Sequence, residues 1–301
     1  MNGPDFIVFG APKSGTTTLF EYLDQSASIC LPKDKEAPYF CDERLYSLGV
    51  KYLDSQYQDC KPNQITGSIS PQYSIGQGDV YVDEVARRIS SQLPNVKLIS
   101  LLRDPIQRAV SHHQMLTARG HEHRTLSKAL DDCTNGSPLL PGYPDPDMDY
   151  IKGSKYQAIL ETYLKHFSRS QIHVTYTEDL FQDPDQTLRD IFEFLELDYD
   201  LSEAITPVQA RKGGSKPRLK FLTPGFLFRI AGVRSLWKTL PASVTKPIEY
   251  RLNLWNLDPD SAAPDLNTLE FEHLADEFRS DIKYLQEFSG NKPPWSDRFS
   301  L

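Results

Sequence analysis

Hydroxyl side chains, one lysine and two glycines are concentrated near the start of the chain, in residues 10–17. The apolar residues 6–9 before them are typical of a short buried strand, and the threonines open an amphipathic helix. Backbone N–H groups in the first turn of a helix lack intrahelical partners, and the helix dipole favours an anion there. Lys13 adds a positive charge, and Ser14, Thr16 and Thr17 add hydroxyl donors. The loop is therefore predicted to bind a phosphate-bearing ligand.

A second group of anion-binding side chains follows the apolar residues 96–102, which read as another buried strand. Arg103 comes at the carboxyl end of this strand, where open α/β sheets bind ligands. Asp104 suits the N-cap of a helix and Pro105 suits its first position. Ser111 lies about two turns into that helix. We expect Arg103 and Ser111 to bind a second anion together.

The first loop differs from the P-loop of NTPases. Gly10 and Gly15 have the spacing of G-x-x-x-x-G-K-[ST], but Thr16 stands where the lysine belongs, and the only lysine of the loop is Lys13. No other apolar segment ends in an obvious Mg²⁺-binding aspartate with an acidic partner. A metal-dependent nucleotide or small-molecule kinase therefore fits poorly, although it stays an alternative.

The runs P-K-S-G-T-T and R-D-P-x-x-R-A-x-S-H, in this order, resemble those of sulfotransferases that use 3′-phosphoadenosine 5′-phosphosulfate (PAPS). The resemblance implies that the first loop (Lys13, Ser14, Gly15, Thr16 and Thr17) binds the 5′-phosphosulfate. Lys13 would also stabilise the sulfuryl group and the leaving oxygen. Arg103 and Ser111 would bind the 3′-phosphate, and the product would be adenosine 3′,5′-bisphosphate.

Three further segments extend this resemblance. Residues 35–40 resemble the K-E-x-x-F-F segment of the heparan-sulfate-type and bacterial branch, which makes Glu36 the proposed general base. A late loop, Arg211, Lys212 and Gly213, resembles the R-K-G loop that closes over the 3′-phosphate and adenine. Ser70-Pro71-Gln72-Tyr73 resembles the S/T-P-x-Y turn of the family. The residue before this turn is Ile69 where the heparan branch has lysine, which speaks against a heparan-like acceptor.

The elements that must position these residues alternate between strands and helices along most of the chain. Further strands are predicted at 64–69 and 171–176, and helices at 79–92, at 155–167, from 183, and near the end around 274–285. This alternation favours a parallel sheet. The resemblance implies a P-loop-like three-layer α/β sandwich with a central parallel sheet and flanking helices. We expect one domain over residues 1–301.

Residues 211–255 differ in composition from the rest of the chain. They hold ten Lys or Arg residues and one acidic residue, Glu249, interleaved with aromatic side chains. We interpret this segment as a lid or a substrate-side element over cofactor and acceptor. A docking surface for an anionic membrane or polymer, on a protein without catalytic activity, is the other interpretation.

Composition limits the partners and the compartment. The net charge of −8 argues against broad nucleic-acid binding, and no apolar run approaches the ~20 residues of a membrane span. No basic, apolar leader precedes residue 6, so we expect a cytoplasmic protein. The four cysteines form no C-x-x-C pair, and we expect free thiols in a reducing compartment. His121 and His123 lack further ligands at a recognised spacing, so no metal site is predicted.

Taken together, the sequence predicts a PAPS-dependent sulfotransferase that needs no metal. The acceptor would be a hydroxyl, or an amine, of a carbohydrate, a lipid or a small natural product. The sequence decides neither the acceptor nor the oligomeric state, and a peripheral membrane contact stays open.

Overall fold

A five-stranded parallel sheet forms the centre of the protein. The computed structural model describes residues 3–32, 38–76, 80–118, 121–136, 149–199, 216–217, 257–258 and 268–299. The strands are β1 (Phe6–Gly10), β2 (Ile29–Cys30), β3 (Ile65–Ile69), β4 (Lys97–Leu102) and β5 (Ile172–Tyr176). Their spatial order is β2-β3-β1-β4-β5, and all neighbouring pairs are parallel. The strands predicted at 64–69 and 171–176 are thus confirmed.

Helices cover both faces of this sheet. They are α1 (Thr16–Leu23), α2 (Glu43–Tyr46), α3 (Val50–Ser55), α4 (Val82–Gln92), α5 (Pro105–Ala118), α6 (Leu126–Thr134), α7 (Tyr156–Leu164), α8 (Thr177–Gln182), α9 (Pro184–Leu195) and α10 (Thr268–Ser289). Alternate residues of β1 point to opposite faces, since Val8 packs with the core under α1, α8 and α9, whereas Phe9 packs with the core under α4, α5, α7 and α10. The three-layer α/β fold predicted from the sequence is confirmed.

The predicted helix starts follow from local capping. The Asp104 carboxylate accepts hydrogen bonds from the backbone N–H groups of Ile106 (2.9 Å) and Gln107 (3.1 Å), and Pro105 is the first residue of α5. The Asp183 carboxylate accepts from the N–H of Gln186 (3.0 Å) ahead of α9. Residues 70–73, predicted as a turn, lead into a single 3₁₀ turn, Pro71–Ser74.

A disulfide joins Cys30, at the end of β2, to Cys60, in the connection between α3 and β3, with their Cα atoms 5.7 Å apart. The prediction of free thiols is wrong for these two residues. The reason is tertiary: β2 lies beside β3 in the sheet, so the connection that leads into β3 passes the end of β2. Cys41 and Cys133 take no part in a disulfide.

Two short strands lie outside the central sheet. β6 (Lys216–Pro217) pairs antiparallel with β7 (Leu257–Asp258), and β6 packs against α5. The rest of residues 211–255, including Arg211, Lys212 and Gly213, lies outside the described residues, as do residues 137–148. Among the helices that the structure describes, none is both long and apolar enough to span a membrane.

Candidate active site

The loop between β1 and α1 lies at the carboxyl edge of the sheet. The N–H of Ala11 donates to the carbonyl of Leu101 on β4 (2.8 Å), and the N–H of Ser14 donates back to Ala11 (3.2 Å), which closes the loop. Lys13 and Gly15 both have left-handed backbone conformations, with φ of 72° and 81°. Glycine adopts this conformation without a steric penalty, whereas a lysine there is uncommon and typical of functional loops.

The start of α1 has the properties of an anion site. Gly15 is the N-cap residue, and no side chain of the described chain caps the helix there. The hydroxyl of Ser14 is fully buried and has no hydrogen-bond partner among the described residues. Buried hydroxyls normally have a partner. A phosphate oxygen at the helix N-terminus would supply one, so the residues of this loop fit the phosphosulfate predicted to bind there.

Three side chains from distant parts of the chain support the carbonyl groups of this loop. Arg108 donates to the carbonyl of Pro12 (3.5 Å) and Arg103 to that of Lys13 (3.3 Å). The Thr177 hydroxyl, at the start of α8, lies 2.7 Å from the carbonyl oxygen of Ser14 and 2.9 Å from that of Leu102. These hydrogen bonds hold the carbonyl groups of Pro12, Lys13 and Ser14 in place and thereby fix the backbone of the loop.

Arg103 lies where the sequence predicted it, after β4 and directly beside the first loop. Its carbonyl accepts from the Tyr156 hydroxyl (2.7 Å), which fixes its backbone to α7. Ser111 is buried on α5. The structure thus brings Arg103 into contact with the loop that contains Lys13. That Arg103 and Ser111 bind one anion together stays a prediction.

Arg108 and Thr177 were not assigned a role from the sequence. Arg108 is fully buried; it donates to the Ser154 hydroxyl (2.6 Å) and to the carbonyl of Tyr150 (2.7 Å). Its place in the R-D-P-x-x-R run could have indicated a role for Arg108. However, the spacing of residues does not show that an arginine on a helix is buried. Thr177 directly follows β5. Because the carboxyl ends of parallel strands meet at one edge of the sheet, its position after a predicted strand could have indicated that it lies near the first loop.

Two carboxyl groups lie behind Arg103. Burial raises the pKa of Glu178, and the neighbouring Asp104 raises it further, against the lowering effect of backbone donors and of Arg103. Burial likewise raises the pKa of Asp104, although Arg298 forms an ion pair with it. These groups place negative charge next to the arginine that is predicted to bind the 3′-phosphate.

Glu36 lies in residues 33–37, outside the described residues, but both flanks of this segment are fixed. Cys30 is held by the disulfide on one side. On the other side Tyr39 and Phe40 are buried, and the N–H of Phe40 donates to the Tyr73 hydroxyl (3.3 Å) in the turn after β3. The residues that follow the segment therefore lie beside the turn at the end of β3.

Glu122, between the two histidines considered for a metal, belongs to a buried polar network instead. Its carboxylate pairs with Arg124 (2.7 Å) and accepts from the Tyr150 hydroxyl (2.8 Å). Burial opposes ionisation, yet the hydrogen bonds from Arg124 and Tyr150 outweigh it and lower the pKa of Glu122 to about 2. The ring Nε2–H of His113 donates to the backbone carbonyl of Arg124 (3.1 Å).

The parallel sheet, the loop at its carboxyl edge and the arginine beside it form a site with the donors that a phosphate ester needs. The model of the Sulfotransferase domain matches residues 3–211, and the chain belongs to this family. Heparan sulfate glucosamine 3-O-sulfotransferase 5 of mouse and of human is 27% identical over 217 residues, which are 70% of this chain and 58% of the relative. Mouse heparan sulfate glucosamine 3-O-sulfotransferase 3B1 is 30% identical over 202 residues, 64% of this chain and 46% of the relative.

The chain thus matches about half the length of these relatives. Among solved structures, a sulfotransferase from Alicyclobacillus acidocaldarius superposes with a TM-score of 0.63 at 19% identity and covers 97% of both chains. This likeness shows the same fold.

Proposed function

We propose that this protein transfers a sulfuryl group from PAPS to a hydroxyl or an amine of a carbohydrate, lipid or small natural-product acceptor. PAPS, when bound, supplies the sulfuryl group. The observation that carries the proposal is the buried, unsatisfied Ser14 hydroxyl at the start of α1, next to Lys13 and in a loop fixed by Arg103. Membership of the sulfotransferase family supports it.

Each candidate residue has a role that follows from its chemistry. The N–H and hydroxyl groups of Ser14, Gly15, Thr16 and Thr17 would hold the 5′-phosphosulfate. Arg103 and Ser111, with the loop Arg211, Lys212 and Gly213, would hold the 3′-phosphate and the adenine. Donors fixed in place contribute most of the catalysis in such transfers, because they need no reorganisation when charge develops.

Glu36 would take the proton of the acceptor. The acceptor oxygen or nitrogen then bonds to sulfur while the bond between sulfur and the bridging phosphate oxygen breaks. The electron pair of that bond stays with adenosine 3′,5′-bisphosphate, and Lys13 stabilises the charge on the leaving oxygen.

The test separates cofactor binding from turnover. We expect calorimetry to detect binding of adenosine 3′,5′-bisphosphate without Mg²⁺, and labelled PAPS to pass its sulfuryl group to at least one acceptor class. Lys13→Ala should lower kcat by about 10²–10³-fold, and Lys51→Ala, an exposed lysine on α3, is the matched control. Glu36→Gln should keep bisphosphate affinity and lose turnover; full activity in that variant would refute the base assignment.

The same experiment decides between the proposal and its alternatives. A kinase would consume ATP with Mg²⁺ and bind the bisphosphate poorly. A non-catalytic module would bind anionic liposomes in a salt-dependent manner and transfer no sulfuryl group.

We also propose that residues 1–301 form one domain in which 211–255 act as a lid. Support comes from β6 and β7, which lie near the two ends of this segment and pair with each other. β6 also contacts α5, the helix that carries Ser111. Hydrogen exchange should then show protection of residues 211–240 when the bisphosphate binds, and unchanged exchange there would contradict a lid.

The compartment is a further proposal. The cytoplasmic location expected from the sequence stays a prediction, and the Cys30–Cys60 disulfide speaks against it because such bonds persist in oxidising compartments. We propose an oxidising compartment, which the redox state of these cysteines in trapped cell extracts would test.

A further inference from the structure

A cavity opens beside the cofactor loop, between the turn Pro71–Ser74, the start of α4 and the start of α7. Its volume is about 210 Å³. Its walls are largely apolar, and Ile75, Tyr81, Val82, Ala158 and Ile159 form them. Tyr81 is 65% exposed, so it lines the cavity and contributes little to the core.

Two residues of the cavity wall lie close to residues that adjoin or support the cofactor loop. Ser74 lies in one wall, and it is so close to Gly10 that a Cβ on that glycine would come within 2.7 Å of the Ser74 Cβ. Gly153 lies in another wall, and a Cβ there would come within 3.0 Å of the Arg108 guanidinium, which also reaches the carbonyl of Pro12. The cavity therefore adjoins the end of β1, where the sulfuryl group is expected.

Among the described residues around the cavity, one cation has no charged partner. Lys155 pairs with Glu277 on α10, and Asp83 pairs with Lys165 and with His166 when that ring is protonated. Lys152 is exposed, and its ammonium makes no hydrogen bond or ion pair with any residue that the structure describes. An acidic substituent on a bound molecule would fit this rim.

The size and polarity of the cavity select the kind of acceptor. An apolar cavity of about 150 Å³ accepts benzene, so this one has room for one substituted ring. Ile69 stands where the heparan branch has a lysine. It is fully buried in the core, so this position gives the cavity no positive charge.

We infer that the cavity is the acceptor subsite, and that it takes the single ring of a phenol or alicyclic alcohol bearing an acidic substituent. The inference rests on the proposed sulfuryl transfer. The ring occupies the apolar walls, its acidic group lies toward Lys152, and its hydroxyl lies on the side of Ser74 and Gly10. The transfer follows the steps proposed above: the hydroxyl oxygen bonds to sulfur as its proton passes to the general base, and the bond between sulfur and the bridging phosphate oxygen breaks.

The test uses the full chain, labelled PAPS and three acceptors: 4-hydroxyphenylacetate, 4-cresol and a heparan oligosaccharide. We expect transfer to both phenols. Ala158→Phe places a ring in the cavity from an exposed helix position and should raise KM for both phenols at least about tenfold. Ala27→Phe, at an exposed alanine in the turn after α1, is the matched control. Affinity for adenosine 3′,5′-bisphosphate should be unchanged in both variants.

The rim charge gives an independent readout. Lys152→Gln should raise KM for 4-hydroxyphenylacetate by up to about fivefold, the size expected for an exposed charge pair, and leave KM for 4-cresol unchanged. A pH or folding effect would change both phenols alike.

Two failures are distinguishable. Transfer confined to acceptors without a ring-sized apolar group, or wild-type KM in Ala158→Phe, overturns the acceptor inference while sulfuryl transfer stands. Absence of both bisphosphate binding and transfer to any acceptor overturns the proposed function itself.

Discussion

The cofactor side and the acceptor side of the candidate site are built by different means. On the cofactor side, three consecutive carbonyls, those of Pro12, Lys13 and Ser14, each accept a hydrogen bond from a side chain that is distant in sequence. On the acceptor side, a disulfide and buried aromatic residues fix the flanks of residues 33–37, and the cavity has an exposed tyrosine in its wall.

This difference follows from what each side has to recognise. A charged phosphate group needs donors that are fixed before it binds, since each misplaced donor loses a charge-assisted hydrogen bond. An apolar ring needs only a space of the right shape. Substitutions on the cofactor side should therefore change stability and nucleotide affinity together, whereas those on the acceptor side should leave nucleotide affinity alone.

The largest expected effect is that of Arg108→Met. The change removes a fully buried guanidinium and its hydrogen bonds to Ser154 and Tyr150, so the free energy of unfolding should fall by about 3–5 kcal/mol. Affinity for the bisphosphate should fall as well, because the carbonyl of Pro12 loses its donor. Urea denaturation and calorimetry measure the two, and Arg87→Met, which removes an exposed pair with Glu84, is the control. Equal losses in the two variants would contradict the support of the loop by Arg108.

The disulfide tests the acceptor side. It closes a loop of 30 residues, for which the chain-entropy model gives roughly 3–4 kcal/mol. Cys30→Ser combined with Cys60→Ser should lower the urea midpoint accordingly, while Cys133→Ser should not. Where the double variant is still folded, its affinity for the bisphosphate should equal that of the wild type. A clear drop in affinity would show that the two sides are not independent.

Thr177→Val removes the hydroxyl that serves the carbonyls of Ser14 and Leu102. Leaving buried carbonyls unsatisfied costs about 1–3 kcal/mol, and the loop should bind the bisphosphate less tightly. Thr187→Val on α9 also removes a buried hydroxyl, one that donates to the carbonyl of Asp183. That carbonyl keeps the N–H of Thr187 as a donor, so the variant should lose less stability and no affinity. Thermal unfolding and calorimetry on both variants separate positioning from simple destabilisation.

Glu178→Gln has the smallest expected effect and a sign that depends on pH. Because burial raises the pKa of Glu178, the folded state holds its proton more tightly than the unfolded chain does. The native protein therefore loses stability as pH rises through that pKa, and the glutamine variant should not. Relative to the wild type, the variant should gain stability as pH rises above the usual range of a glutamate. Once the wild-type carboxyl is ionised, the variant should also bind the bisphosphate about two- to fivefold more tightly, since one negative charge beside Arg103 is gone. A variant less stable than the wild type at pH 7 would contradict this.

Much of the fold could be predicted because its signals are local. Asp104 and Pro105 specify the start of α5 through bonds that reach only three residues along the chain. The strands at 65–69 and 172–176 are short segments that begin with isoleucine and lie between turns, and they were predicted to within one residue. The disulfide was not predicted, since two cysteines 30 residues apart give no signal until β2 and β3 are known to be neighbours.

By itself, the sequence determined the strand, the loop and the start of the helix in residues 6–20, the arginine after β4 and hence the family, because each is written in consecutive residues. Only the tertiary structure decided what holds these parts in place. Thr177 supports Ser14 across 163 residues, and Arg108 reaches Pro12 across 96. Such partners depend on which strands are neighbours and which helix face is buried, and those follow from the packing of the whole core.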